Sequence, residues 1–204
     1  QSYERSQTLD YNSKNVSYQE FVDLDLKHFS NYDVLRSIPS VVDGLKVSQR
    51  KALFGCFKRP VTSEMRVAQL AAYAAEHSLF HHGETSMQGT IIGMAQTFVG
   101  SGNNINLLEP VGQFGSRLAG GTDHASPRYI HTHLTKVARL LFPAEDDSVL
   151  DYEEDDGIKV EPTTYVPVIP LVLINGAVGI GTGYSTQVPC HNPNDIIAAV
   201  DRKS

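Results

Sequence analysis

Between residues 64 and 98 the apolar side chains recur at helical spacing, twice in succession. In the first run Val67, Leu70, Ala71 and Ala74 fall on one face, because residues three and four apart share a face of an α-helix. In the second, Met87, Ile91, Met94, Ala95 and Phe98 form a single stripe. Two such helices in a row must bury their stripes against each other or against a further layer. The first is expected over 64–79. The second follows the capping-box pattern Thr85-x-x-Gln88 and stops at Gly100. A third helix is expected through Leu53, Phe54 and Phe57, with Ser48 as its cap. Phe21, Leu24 and Leu26 give a shorter helical pattern within 18–29. Residues 1–15 are polar and read as extended. The stretch from Gly100 to Thr122 is rich in Gly and Asn and reads as loops with short strands.

Two segments stay open on pattern alone. In 128–142, Ile130, Thr132 and Leu134 alternate as in a strand, whereas Ile130, Leu134, Val137 and Leu141 fit a helix. Residues 166–174 read as β-rich, broken by Pro167 and Pro170. There is no internal repeat.

With 204 residues and 41% hydrophobic content, the chain can bury one or two cores. No apolar run is long enough to span a membrane, and the polar N-terminus gives no expectation of a signal peptide. Cys56 and Cys190 lie too far apart for a disulfide framework or a metal knuckle, which fits a reducing compartment. The net charge of −6 argues against a polyanionic partner until its distribution is read. Residues 36–66 hold seven Lys or Arg against Asp43 and Glu64, a net of +5. Residues 144–161 hold nine Asp or Glu against Lys159, a net of −8, and read as a solvated loop. A basic face can therefore bind phosphate on an acidic chain.

Four local patterns carry chemistry. Arg128-Tyr129 places a guanidinium beside a phenol. Tyrosine is a weak nucleophile at neutral pH, since its ordinary pKa is about 10, and a guanidinium can stabilise both phenolate and phosphate. The other reading is an ordinary surface pair. His81-His82-Gly83-Glu84 is a turn that lacks the His-Glu-x-x-His spacing of a zinc site. Lys46, Arg50 and Lys51 surround a helix start and are phosphate-backbone candidates or plain solvated surface. Ile180 sits among Gly176, Gly179, Gly181 and Gly183. It is either a buried residue in a glycine-rich turn or an outward wedge between base pairs. A phosphate-cradling loop would need a following Gly-Lys-Ser or Gly-Lys-Thr, and none follows.

Taken in order, the motifs point further. Arg36-Ser37-Ile38-Pro39 and Asp43-Gly44-Leu45-Lys46 precede Gln49-Arg50-Lys51-Ala52-Leu53-Phe54. His81-His82-Gly83-Glu84 and Ile91-Ile92-Gly93-Met94-Ala95-Gln96 follow, then Gly112-Gln113-Phe114-Gly115-Ser116-Arg117 and Pro127-Arg128-Tyr129. Last comes Asn175-Gly176-Ala177-Val178-Gly179-Ile180-Gly181-Thr182-Gly183. In this order, from about Thr8 to Val200, the chain resembles the DNA breakage–reunion region of type IIA DNA topoisomerases. The stretch from Leu9 to Ser30 looks like the eukaryotic type, DNA topoisomerase II.

The resemblance implies a mixed α/β (α+β) fold in three parts. Residues 1–30 are a linker and connecting helix, 31–150 a winged helix with the catalytic tyrosine, and 151–204 the start of a tower domain. It implies a wing strand after Tyr129 and a helix from about Thr135. It assigns Tyr129 as the nucleophile that forms a 5′-phosphotyrosyl bond. Arg128, Arg36 and His82 are implied to stabilise the charge on the phosphate. Lys46, Arg50, Lys51, His81, Gln113 and Arg117 become DNA contacts, and Ile180 an intercalating wedge. Double-stranded DNA, a homodimer and a nuclear location are implied. Mg²⁺ and ATP belong to modules that lie outside these residues, so the chain alone is expected to bind DNA without cleaving it. The acidic run at 151–156 is not assigned to metal. Val47 stands where a proline is common, and Thr163-Thr164 where a tryptophan is. The competing functions are a non-enzymatic winged-helix DNA-binding module and a metal-dependent DNA phosphodiesterase, for which no ligand cluster is present in the sequence.

Overall fold

A computed structural model describes residues 7–202. Of the expected extended segment, residues 1–6 lie outside the described part, and 7–17 form neither helix nor strand. Ser17 then opens a helix. Its hydroxyl accepts from the Glu20 N–H, and the Glu20 carboxylate accepts from the Ser17 N–H, closing a capping box. Helix α1 (Tyr18–Phe21) runs through one π-helical turn (Val22–Leu26) into α2 (Lys27–Ser37). The helical stretch is thus longer than its apolar pattern suggested, because its last two turns are held by polar contacts described below.

Helix α3 (Val47–Lys58) follows a loop fastened from inside. The buried Asp43 carboxylate accepts from Arg50 Nε at 2.7 Å and Nη2 at 3.0 Å. It also accepts the backbone N–H groups of Leu45 at 2.9 Å and Tyr165 at 3.0 Å. Arg50 Nη2 further donates to the Leu45 carbonyl. Gly44 has φ +72°, and a Cβ there would lie 2.9 Å from the Val172 Cα, so the turn suits glycine alone. Lys46, not Ser48, is the N-cap of α3. The Gln49 side chain accepts the Lys46 N–H at 2.9 Å, which leaves Ser48 inside the first turn.

The first expected helix is shorter than its periodicity. Met65–Arg66 form strand β1, and α4 runs over Val67–His77. Helix α5 (Glu84–Ala95) starts one residue before the predicted Thr85 cap, at Gly83 with φ +82°. It ends at Gln96, well short of Gly100, since Gln96 turns extended and its amide donates to the Phe114 and Gly121 carbonyls at 2.9 and 3.2 Å. Helices α3, α4 and α5 pack on one another. The α3–α4 approach is tightest at Gly55, where a Cβ would meet Ala74 Cβ at 2.7 Å.

Beside these helices lies an antiparallel sheet in the order β1–β3–β2, with β2 at Leu108–Val111 and β3 at His131–Leu134. Met65 pairs with Thr132, and Leu108 with Leu134. Both readings of 128–142 hold in succession, as the resemblance implied: β3 leads to Thr135, the N-cap of α6 (Lys136–Leu141). Leu53, Leu70, Met87, Ile91, Leu108 and Ile130 form the core between helices and sheet.

The acidic stretch is not the solvated loop expected of it. Residues 144–148 form a short 3₁₀ turn, and β4 (Tyr152–Asp155) pairs with β5 (Ile158–Pro162). The turn residues Asp156 and Gly157 have φ +49° and +74°, the twist a tight hairpin favours. Residues 166–174 form no strand; the prolines leave a loop and the single helical turn α7 (Leu171–Ile174). Strands β6 (Ala177–Ile180) and β7 (Ser185–Val188) form a second hairpin, and α8 (Pro193–Asp201) follows.

Asp43 is the test of this arrangement. Asp43→Ala leaves Arg50 buried without its partner, which should lower stability by about 3–5 kcal/mol. Urea unfolding followed by circular dichroism measures it.

Candidate functional site

Tyr129 stands on a turn pinned at both ends to a helix. The first backbone donors of α4, which have no partner within the helix, are used here. Val67 N–H donates to the Ile130 carbonyl at 3.0 Å, and Ala68 N–H to the Pro127 carbonyl at 3.1 Å. The Tyr129 N–H donates back to Ser126 at 2.9 Å. Ile130 is buried in the core, whereas Arg128 is exposed and Tyr129 is 79% exposed. A core residue thus anchors the turn while its two neighbours face outward.

The last two turns of α2 organise a second group. Tyr32 meets Nε2 of His82 through its hydroxyl, and their ring centroids lie 5.9 Å apart. The Arg36 guanidinium lies 5.4 Å from the Tyr32 ring centroid. Phe80 packs edge-on against His82, with centroids 5.4 Å apart. Asp33 takes both its helix neighbour and a distant hairpin. Its Oδ1 accepts from Arg36 Nε at 3.1 Å and Nη2 at 3.0 Å, and its Oδ2 accepts from Thr182 Oγ1 at 2.9 Å. The Thr182 hydrogen bond, then that from Arg36, holds the Asp33 carboxyl below the ordinary carboxylate range.

Thr182 lies in the turn between β6 and β7, and the glycines of β6 explain how that hairpin sits. A Cβ on Gly179 would fall 2.3 Å from the Ser37 carbonyl oxygen, and one on Gly181 would fall 3.1 Å from Val34 Cα. Glycine at both positions lets the hairpin rest on the end of α2. Alternation along the strand then sends Ile180 to the other side, where it is 80% exposed. The reading of Ile180 as a buried turn residue is thereby excluded.

The remaining candidates separate by burial. Lys46 is half-buried at the start of α3. Gln113 and Arg117 are exposed on a loop closed by Gln96. His81 Nε2 lies 3.2 Å from Asp155 Oδ2, at the acidic hairpin. Arg50 and Lys51 are corrections. Arg50 is buried on Asp43, and Lys51 Nζ bonds Glu161 Oε2 at 2.8 Å and the Ser78 carbonyl. Both charges are spent inside the fold and offer phosphate nothing. Sequence reasoning also passed over Tyr32, Asp33 and Thr182. Tyr32 and Asp33 precede Arg36 by four and three residues, a helical spacing that marks them as its neighbours. Among the described residues no group of three or more His, Cys, Asp or Glu side chains is placed to hold a metal ion. No side-chain hydrogen bond or ion pair there joins Arg128 or Tyr129 to the α2 group.

Residues 36–203 match the family described as DNA gyrase/topoisomerase IV. The chain belongs to the type IIA DNA topoisomerase family. It is 55% identical over 201 residues to DNA topoisomerase 2 of Arabidopsis thaliana, covering 98% of this chain and 14% of the relative. It is 55% identical over 184 residues to the probable DNA topoisomerase 2 of Dictyostelium discoideum, covering 90% of this chain and 12% of the relative. The DNA-binding, cleavage and re-ligation domain of Plasmodium falciparum topoisomerase II superimposes with a TM-score of 0.86 at 53% identity. That match covers 97% of this chain and 27% of the other. The chain thus spans a small part of its family relatives, and its mixed α/β fold is that of the cleavage domain.

The Asp33 contacts predict an acid dependence. A carboxylate whose pKa is lowered on folding contributes stability above its unfolded pKa, and loses it as pH falls through the folded value. Docking of the β6–β7 hairpin should therefore weaken in acid. A carbon-13 titration of the Asp33 carboxyl should give a midpoint below that of a free aspartate, and Thr182→Val should raise it. An unshifted midpoint in the parent protein would remove the assigned hydrogen bonds.

Proposed function

We propose that this chain is the breakage–reunion segment of a eukaryotic-type DNA topoisomerase II, in which Tyr129 breaks a DNA strand by attacking a phosphodiester. The observation that carries this reading is the exposed Tyr129, held on a turn braced by α4 beside the exposed Arg128. The Tyr129 Oη attacks phosphorus, forming an O–P bond to the 5′ side of the break and losing its proton. The bond from phosphorus to the departing 3′ oxygen breaks, and that oxygen leaves as a hydroxyl. One phosphoester replaces another, so resealing needs no separate energy source. Charge collects on the non-bridging oxygens during this exchange, and fixed cations lower the barrier most when they are already in place. Arg128 supplies one beside the nucleophile, while Arg36 and His82 are held on the face organised by α2. Mg²⁺, held by another module of the enzyme, adds charge neutralisation at the phosphate.

Duplex DNA is the partner in this reading, met by Lys46, His81, Gln113 and Arg117, with Ile180 as a wedge. ATP use, a homodimer and a nuclear location come with the family. The packing of α3, α4 and α5 beside the β1–β3–β2 sheet supports a winged helix over 31–150. It is preceded by a linker over 1–30 and followed by the start of a tower at 151–204. A DNA-binding module without catalysis would have no use for an exposed tyrosine braced beside a guanidinium.

Two outcomes test this in the full-length enzyme. Tyr129→Phe removes one hydroxyl from an exposed side chain, so DNA binding should persist while covalent protein–DNA adducts vanish; an adduct in that variant would end the assignment. Ile180→Ala should change stability by less than about 0.5 kcal/mol, as exposed substitutions do, yet reduce DNA bending measured by energy transfer between labelled duplex ends. Unchanged bending would remove the wedge role, because a wedge bends DNA by unstacking a base step.

A further inference from the structure

The expected functional groups Arg36 and Ile180 come from segments far apart in the chain, and a single carboxylate touches the structure that carries each. Asp33 faces Arg36 from one turn earlier on α2 and receives its Nε and Nη2 on Oδ1, with Ser37 Oγ at 3.4 Å on the same oxygen. These bonds orient one edge of the guanidinium, and Nη1 takes part in none of them. The second oxygen, Oδ2, is given to Thr182, two residues beyond Ile180. Within the same turn the Gly181 N–H donates to the Tyr184 carbonyl at 2.8 Å. The Thr182 hydroxyl makes the one side-chain hydrogen bond between this hairpin and α2 among the described residues. Only a carboxylate serves both sides well. It offers two acceptor oxygens and no donor, whereas an amide would turn an N–H₂ group toward either Arg36 or Thr182.

We propose that Asp33 is a positioning residue that couples the Ile180 hairpin to the Arg36 guanidinium, so that seating of the hairpin on bent DNA and placement of the cation at the phosphate occur together. This rests on the roles proposed above for Arg36 and Ile180. Deformation of the duplex at Ile180 pushes on the β6–β7 turn. That turn reaches Arg36 through Thr182 and Asp33, without passing through the core.

The test uses the full-length enzyme with Mg²⁺ and a duplex labelled at both ends, reading adduct formation rate and bending side by side. Thr182→Val touches neither Arg36 nor Ile180. It should slow adduct formation about tenfold, the scale of one charge-assisted hydrogen bond, and reduce bending, with an unchanged melting temperature. Thr182→Ser keeps the hydroxyl and should restore both. Asp33→Asn should lose both, and adding Thr182→Val to it should cost nothing more. If Thr182→Val does not fold, Asp33→Asn against Thr182→Ser carries the same comparison. Arg36→Ala and Ile180→Ala set the reference. If these two lose neither cleavage nor bending, the functional reading beneath the proposal fails. If they do and the Thr182 and Asp33 variants change only one readout or none, the coupling alone is overturned.

Discussion

Everything positioned at this site hangs on the buried ion pair of Asp43 and Arg50. Removing two charges from water is costly, and geometry must offset it. Here the guanidinium is bidentate, and the carboxylate also accepts two backbone N–H groups, one of them from Tyr165, 122 residues away. That contact brings the segment beyond the acidic hairpin down onto α3. Tyr165 then packs edge-on against Phe57, with ring centroids 5.7 Å apart, and burial pushes its hydroxyl above the ordinary range. The loop held by Asp43 also sets where α2 ends relative to where α3 begins. An error there would move Arg36 and the hairpin resting on Ser37 together.

The helical stripes of Val67 to Ala74 and Met87 to Ala95 were legible because periodicity is local and burial follows it. The order of motifs made the family legible as well. What local pattern could not show was the fate of charges. Arg50 and Lys51 read like any basic pair near a helix start. Nothing short-range announces that one partner lies seven residues back and the other 110 residues ahead. Ile180 was ambiguous for a related reason: glycines on both sides fit a buried turn or an exposed strand. Its exposure follows from Gly179 and Gly181 meeting α2, which no window around Ile180 contains. Tyr32 and Asp33 escaped notice because their partners, His82 and Thr182, are remote in sequence.

The charge balance takes on a different meaning once partners are known. Of the seven cations in 36–66, two are consumed in buried pairs, and a third, Arg36, is shared with Asp33. The basic surface is therefore smaller than the sequence count implies, and more of it is pre-oriented. Arg59 lies 5.7 Å from the Tyr73 ring centroid and Lys58 5.6 Å from that of Phe54. A guanidinium restrained by a carboxylate and an aromatic ring loses less conformational entropy on meeting a phosphate than a free one does.

The bracing of the Ser126–Tyr129 turn by α4 bears on reversibility. With the backbone tied at Pro127 and Ile130, the phenol oxygen is left with two side-chain torsions, and these favour a few discrete rotamers. Its reach is a small set of positions instead of a continuous volume. A DNA end attached to that oxygen inherits the same restriction. The 3′ hydroxyl therefore has to find an electrophile whose whereabouts the protein backbone has already narrowed, and the search cost of rejoining is met when the chain folds.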